Sequence, residues 1–256
     1  MPRCLKKSSS DRIPHNHPII MNAIKFPAKS ALYFHPRWRY TQEFKRQVLR
    51  FNERPIEFAF VFRKFPELYP QTAQDVGTGT TALPHLMRNC GFIVAATDNI
   101  RDYWTTDVLN RHYHVIDDDI TNTRLKTTYD LITCISVLEH IRNFNDAIRN
   151  MAHLLNPGGH LILTCPYSEA SYVQNVYDLP GSSYGRGAPY ITQSFSRREV
   201  ERWTAETKLA IAEQEFWQCW DGDHWTVGSQ LTPPRRVAAT DRHQLTCLHL
   251  RKVPHE

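Results

Sequence analysis

The sequence predicts an α/β fold, a doubly wound and mostly parallel sheet with helices on both faces. Three observations carry this. Apolar strand-like runs alternate with helical stretches from residue 73 to residue 165. A glycine loop, Asp75-Val76-Gly77-Thr78-Gly79-Thr80, stands between the first of those runs and the helix that follows. The 256 residues, 41% hydrophobic and 22% charged, are enough for one well-cored domain and exclude wholesale disorder, a collagen-like chain or a coiled-coil rod.

The elements follow in order. Residues 1–35 are expected to form a basic arm, mobile or lid-like, because the stretch is polar and broken by Pro2, Pro14, Pro18 and Pro27. A single domain is expected over 36–256. The pattern turns helical at Arg37, and Pro55 after Asn52 and Glu53 suits the first turn of a second helix through Phe65, ended by Pro66 and Pro70. A short strand from Ala73 to Val76 leads into the glycine loop, then a helix from Ala82 to Cys90 closed by Gly91, then a strand from Phe92 to Thr97 ending at Asp98. The third strand is read at His112 to Ile116, before Asp117-Asp118-Asp119, and the fourth at Tyr129 to Ser136. A helix from about Asn145 to Leu155 stops at Asn156-Pro157-Gly158-Gly159, and a fifth strand runs from His160 to Cys165. Residues 167–195 hold Tyr167, Tyr172, Tyr177, Tyr184 and Tyr190 among glycines and prolines, an aromatic insertion too irregular for a regular element. Ser196 and Glu199 form a capping box that opens a helix through Trp203. Two further strands, near Leu209 to Phe216 and Gln244 to Leu250, bring the count to seven.

Formal charge is +5, but its distribution matters more than its sum. Residues 1–50 carry eleven Lys or Arg against Asp11 and Glu43, a net of +9, so the remainder carries −4. This argues against nucleic acid as a partner of the domain and leaves an RNA-binding variant only to the arm, where a steep salt dependence would betray it. No apolar run reaches the ~18 to 20 residues needed to cross a bilayer, and no apolar h-region follows the basic start, so a cytoplasmic protein with no membrane partner is expected. The six cysteines are scattered without a Cys-x-x-Cys pair, which favours reduced thiols over disulfides or zinc.

The glycine loop is the sharpest local signal. Gly77 permits a tight turn, Gly79 lets a ligand approach the backbone, and the next helix directs its first N–H groups at that ligand. Asp98 lies 21 residues beyond Gly77, at the end of the next strand, where an acid can bind both hydroxyls of a ribose. Gly77-x-Gly79-x-x-Ala82 with Asp98 also suits a nicotinamide, so an NAD(P)-dependent oxidoreductase is the alternative enzyme class. Asp75 argues the other way: a carboxylate two residues before Gly77 would repel a pyrophosphate and suits a ligand with a cationic end, such as the α-ammonium of a methionine moiety. That tilts the choice from NAD(P) toward S-adenosylmethionine, with S-adenosylhomocysteine as product.

The ordered set Asp75 to Thr80, Asp98, Asp119-Ile120, Tyr129-Asp130-Leu131-Ile132 running to Val137-Leu138-Glu139-His140-Ile141, and Leu155-Asn156-Pro157-Gly158-Gly159 resembles the class I S-adenosylmethionine-dependent methyltransferases. The likeness covers residues 70–167 well and the rest by order of elements. It implies a Rossmann-like sheet of order 3-2-1-4-5-7-6 with an antiparallel last strand. It implies that Gly77, Thr78 and Gly79 line the methionine and ribose, that Asp98, with Asn99 beside it, holds the ribose hydroxyls, and that Ser136 and Val137 complete the cofactor-binding set. Asp119 would accept from the adenine amino group with Ile120 against the ring; Asp117 and Asp118 stay open for that role, and are otherwise read as solvated loop acids. Thr81 departs from the pattern, since many members carry a third glycine there.

In such a fold the fourth strand delivers Ser136 to His140 to the transferred methyl group. The Asn- or Asp-Pro-Pro-Tyr/Phe string typical of base amino-methylating relatives is missing there. A hydroxyl acceptor needs a base, and His140 has the right intrinsic pKa, with His224 in reserve. Glu139 would face the substrate. Metal binding by Glu139 and His140 is not expected, because Ser136 stands where metal-binding relatives carry another Glu. Tyr167, Tyr184, Trp217 and Trp225 are the expected substrate residues, as a stacking lid, with a second hydrophobic cluster as the equal alternative. The expected activity is methyl transfer to oxygen or nitrogen of a small-molecule acceptor, a secondary-metabolite or carbohydrate intermediate, by a monomer or homodimer.

Overall fold

The computed structural model describes residues 52–100, 110, 112–183 and 185–253. The basic arm, the helical pattern beginning at Arg37 and Tyr184 lie outside the described residues.

Helix α1 (Arg54–Leu68) has its proline in the first turn as expected, yet it runs through Pro66 instead of ending there. A proline that late removes one amide bond from the last turn, and the turn still closes, because the N–H of Tyr69, in the left-handed region at φ 44°, donates to the Phe65 carbonyl. Strand β1 (Thr72–Val76) follows, with four of its five residues buried, as a parallel strand covered on both faces requires. Helix α2 (Leu83–Asn89), β2 (Ile93–Asp98), β3 (Val115–Asp117) and β4 (Tyr129–Ile135) keep the expected alternation. Helix α3 (Phe144–Leu154) passes directly into β5 (Leu155–Pro166). The Asn156 to Gly159 turn is present as a bulge inside that strand: the register jumps from Tyr129 opposite Leu155 to Leu131 opposite His160. Gly159 is needed there, since a Cβ would come within 2.9 Å of the Asn156 carbonyl oxygen.

Helix α4 (Arg197–Thr207) opens with the predicted capping box, in which the Ser196 N–H donates to Glu199 at 3.0 Å. Strands β6 (Leu209–Trp220), β7 (Gln230–Val237) and β8 (Leu245–Lys252) complete a sheet of eight strands, ordered β3-β2-β1-β4-β5-β8-β6-β7. The fold class is the expected one, and the last strand is antiparallel to both neighbours. The strand count is corrected from seven to eight. The additional β7 has the sequence Gln-Leu-Thr-Pro-Pro-Arg-Arg-Val and lies at the sheet edge, where prolines without an N–H are tolerated within a strand.

Alternate residues of the same strands feed two core layers. Leu161, Leu163, Leu248 and Leu250 pack with Ile148, Met151 and Trp203 under α3 and α4. Ile162, Leu245 and Cys247 pack with Phe60, Val61, Phe65 and Met87 under α1 and α2. The 167–195 segment joins the second layer through Val176 and Tyr177, beside Trp220 and Trp225. It is anchored over the end of β4 by the Gln193 N–H, which donates to the Glu139 carbonyl at 2.9 Å. The five described cysteines are unpaired, four of them buried and Cys90 exposed. Among the described residues no helix is long and apolar enough to cross a membrane.

Candidate active site

The carboxyl ends of β1, β2 and β4 meet at the glycine loop. The N–H groups of Gly77 and Thr78 donate to the Thr97 carbonyl, at 2.8 and 3.2 Å, which ties the loop to β2. Gly77 sits at φ +69°, and a Cβ on it would lie 2.3 Å from Val137 Cγ1, so the loop and the segment after β4 touch through a missing side chain. Gly79 sits at φ +57°; its N–H donates to Asp98 Oδ2 at 2.8 Å, and above its backbone a Cβ would meet nothing nearer than 4.0 Å. Asn110 braces the loop from outside, donating to the carbonyls of Gly79 and Thr81 at 2.9 and 3.2 Å. Sequence reasoning missed Asn110, and its position between strands gave no signal.

Asp75 is buried beneath this loop. Its Oδ1 accepts from Thr133 at 2.6 Å and its Oδ2 from Thr78 at 2.9 Å. Burial pushes its pKa up to about 6, against the lowering effect of those hydroxyls and of Arg54. Arg54, Phe58, Asp75, Thr78, Leu83 and Ile135 line a cleft here. Arg54 was not anticipated. It donates to Glu57 Oε2 at 3.1 Å and to the Ile135 carbonyl at 3.0 Å. Glu57, fully buried on α1, accepts at its other oxygen from Thr164 at 2.7 Å and from Ser136. Ser136 is thereby held at φ +50°, a conformation uncommon for a residue with a side chain.

His140 and Glu139 lie in a short 3₁₀ turn (Leu138–His140) just after β4. The His140 Nδ1 contacts the Ile191 carbonyl at 2.8 Å, which requires a proton on Nδ1 and makes Nε2 the basic nitrogen of the neutral ring. Nε2 lies 3.9 Å from Glu139 Oε1. Tyr190 meets the imidazole edge to face at 5.1 Å. Glu139 is buried, its pKa is raised well above the ordinary carboxylate value by that burial, and its Oε2 has no hydrogen-bond partner among the described residues.

The other predicted positions divide. Asp119 is exposed and accepts from the Thr121 amide at 2.9 Å, so it caps a 3₁₀ turn (Ile120–Asn122), with Ile120 buried behind it and Asn99 half-buried after Asp98. Asp118 is not a solvated loop acid: it is buried and accepts from Thr123 and the Arg124 amide at 2.6 and 2.9 Å. Tyr167 is not brought to the cleft. It is fully buried, stacked on His243 at 5.6 Å and donating to Glu169 at 2.8 Å, because residue 167 follows β5 on the α4 side of the sheet. Trp225 is buried against Trp220, and Trp217 is half-buried with its Nε1 donating to Glu215 at 3.0 Å, so these two pack the second core layer and do not line the cleft. His224 is half-buried in the loop between β6 and β7, and its Nδ1 has no partner among the described residues.

A parallel sheet with a reversed strand beside β5, a glycine loop after β1 and an acid at the end of β2 define the Rossmann-like class of S-adenosylmethionine-dependent transferases. A family model described as a methyltransferase domain matches residues 44–214. The chain belongs to the methyltransferase-domain family, which sets aside the nicotinamide alternative. Among curated proteins it is 25% identical over 138 residues to a ubiquinone biosynthesis O-methyltransferase of Serratia proteamaculans, covering 50% of this chain and 54% of that one. It is 30% identical over 98 residues to the mitochondrial ubiquinone biosynthesis O-methyltransferase of Schizosaccharomyces pombe, covering 35% and 36%. The chain spans about half the length, or less, of these relatives. In fold it is similar to TehB of Haemophilus influenzae (TM-score 0.53, 16% identity, 81% of this chain and 64% of that one). It is also similar to a methyltransferase of Thermotoga maritima (TM-score 0.52, 14% identity, 84% and 97%).

Proposed function

We propose that this chain transfers a methyl group from S-adenosylmethionine to a hydroxyl oxygen of a small-molecule acceptor, with His140 as the general base. The observation that carries the reading is the Ile191 carbonyl on His140 Nδ1, which fixes the proton of the neutral ring there and makes Nε2 its basic nitrogen, at the mouth of the fourth strand. The O-methyltransferase names of the relatives support oxygen over nitrogen.

The residues present fit the cofactor. Gly79 has open space over its backbone, and Gly77 packs so closely on Val137 that the loop can lie flat beneath a ligand. Asp75 would face the α-ammonium and Arg54 the carboxylate of the methionine end. Asp98, already fixed by the Gly79 N–H, would take the ribose hydroxyls, and Asp119 with Ile120 the adenine. Bound there, the cofactor supplies an activated methyl on a sulfonium, whose departing thioether needs no acid. The protein's part is alignment, worth ~7–11 kcal/mol when the reacting atoms are held near attack geometry. His140 adds proton removal from the acceptor hydroxyl, typically about 10²–10⁴-fold. Tyr190 would place the acceptor against the imidazole.

The test pairs binding with turnover. In calorimetric titration, Asp98→Ala should abolish binding of S-adenosylhomocysteine. His140→Asn should leave that binding unchanged and lower kcat on hydroxyl acceptors by about 10²–10⁴-fold, in a mass-spectrometric screen of hydroxylated and amine compounds. Methyl gain confined to the amines, with His140→Asn fully active, would overturn the oxygen reading.

A further inference from the structure

The carboxyl groups around Arg54 outnumber the charge it can offset. Glu53 caps the start of its helix, Glu57 lies one turn into it, Glu139 comes from the turn after β4, and Asp75 from the end of β1, and all four favour the charged guanidinium. Glu57, Asp75 and Glu139 are each almost wholly removed from solvent. Glu57 is fully partnered, by Arg54, Ser136 and Thr164, and Asp75 by two threonine hydroxyls. Glu139 is not: its Oε2 is buried without a hydrogen-bond partner among the described residues. A buried carboxyl oxygen with no donor, in a group of four acids and one base, is a group that stays protonated when the site is empty and that a cationic ligand would favour ionised.

We propose, resting on the cofactor reading above, that Glu53 and Glu139, grouped with Glu57 and Asp75 about Arg54, read the charge of the cofactor: the sulfonium form binds with release of protons from this group, and the neutral thioether product does not. The cofactor and its product share the same methionine zwitterion, so the difference between them isolates the single sulfonium charge.

The protons are available. Burial raises Glu139 well above its ordinary range, burial and then the neighbouring Glu57 raise Glu53, and Asp75 lies near 6. The remaining titratable groups facing the cluster do not compete. The Cys134, Cys165 and Cys247 thiols are pushed well up by burial and the Cys219 thiol to about 12, so all stay neutral. Asp98 bears on Asp75 from β2 and raises it slightly, and His140 sits beside Glu139 at 3.9 Å. A cation beside raised carboxyls lowers their pKa values, so protons leave on binding and affinity for the cation rises with pH across that window. The ratio of cofactor to product affinity should then climb by up to about tenfold per pH unit where one proton separates the two ligands. The consequence is release of product: the same cluster that favours the sulfonium has no charge to hold once the methyl has gone.

The experiment is titration calorimetry of the full chain with S-adenosylmethionine and with S-adenosylhomocysteine, each in two buffers of different ionisation enthalpy, between about pH 6 and 8. The expected result is release of up to about one proton more for the cofactor than for its product. In Glu53→Gln with Glu139→Gln, checked for folding by near-ultraviolet circular dichroism, that excess should vanish and the affinity ratio should become independent of pH. Equal proton counts for the two ligands, or an excess surviving in the double variant, would overturn the proposal. Binding of neither ligand would remove the cofactor reading itself, and the proposal with it.

Discussion

At Gly77 a single hydrogen stands where a methyl group would meet Val137 Cγ1 at 2.3 Å, on a backbone at φ +69°. Gly77→Ala should therefore lose ~1–3 kcal/mol of stability from the backbone conformation alone, with more from the clash. Thermal melts should show Val137→Ala recovering most of the clash part in that background, since its Cβ at 3.0 Å remains, and none of the conformational part. The glycine loop and the acid closing β2 could be placed together from the sequence because the contacts that join them are local or lie on adjacent strands. Arg54, Glu57 and Asn110 could not. Arg54 meets Ile135 across 81 residues and Glu57 meets Thr164 across 107, separations that no spacing rule reaches. His140 stood out in the sequence as a candidate base by its type alone, while the contact that sets its tautomer comes from 51 residues away.

Elements were easier to read than their ends. The parallel strands announced themselves as short apolar runs closed by Asp or Gly, and the Ser196 to Glu199 box marked the start of α4 within a residue. Two of the differences involve proline: the helix was expected to end at Pro66, and the strand that holds Pro233 and Pro234 was not read as one. Pro66 sits where the helix has few bonds left to lose, and Pro233 and Pro234 sit on an edge strand. The end of α3 is a feature that only the structure reveals. Lys252, at the end of β8, donates to the carbonyls of Ala152 and Leu155, each at 2.7 Å, closing a helix terminus that has no glycine cap. Lys252→Met keeps the apolar stem and removes those bonds, and should cost about 1–2 kcal/mol in urea denaturation with an unchanged m-value.

For the whole molecule, pH acts through a histidine pair far from the cleft. His249 and His160 meet at 2.9 Å across β8 and β5, and burial, then His160 and Lys64, push His249 down to about 4. The folded chain thus refuses a proton that the unfolded chain accepts near 6.5, so the stability this pair contributes is present above about pH 6.5 and is lost as pH falls towards 4. Urea midpoints at pH 7 and pH 5 should differ in the wild type, and by less in His249→Gln. The α/β fold class could be read from alternation and order, since both repeat along the chain, whereas the reversed final strand came only with the family resemblance. The extent of the sheet could not be read, since β7 carries two prolines and no apolar alternation. Those same prolines reach beyond the fold of one chain. A sheet can be lengthened by a stranger only at its borders, and here one border, β3, is three residues long while the other, β7, lacks amide hydrogens at its centre. Among the described residues neither border offers a long template for strand-by-strand growth, so the edges of this sheet favour contact between copies through side chains over backbone pairing.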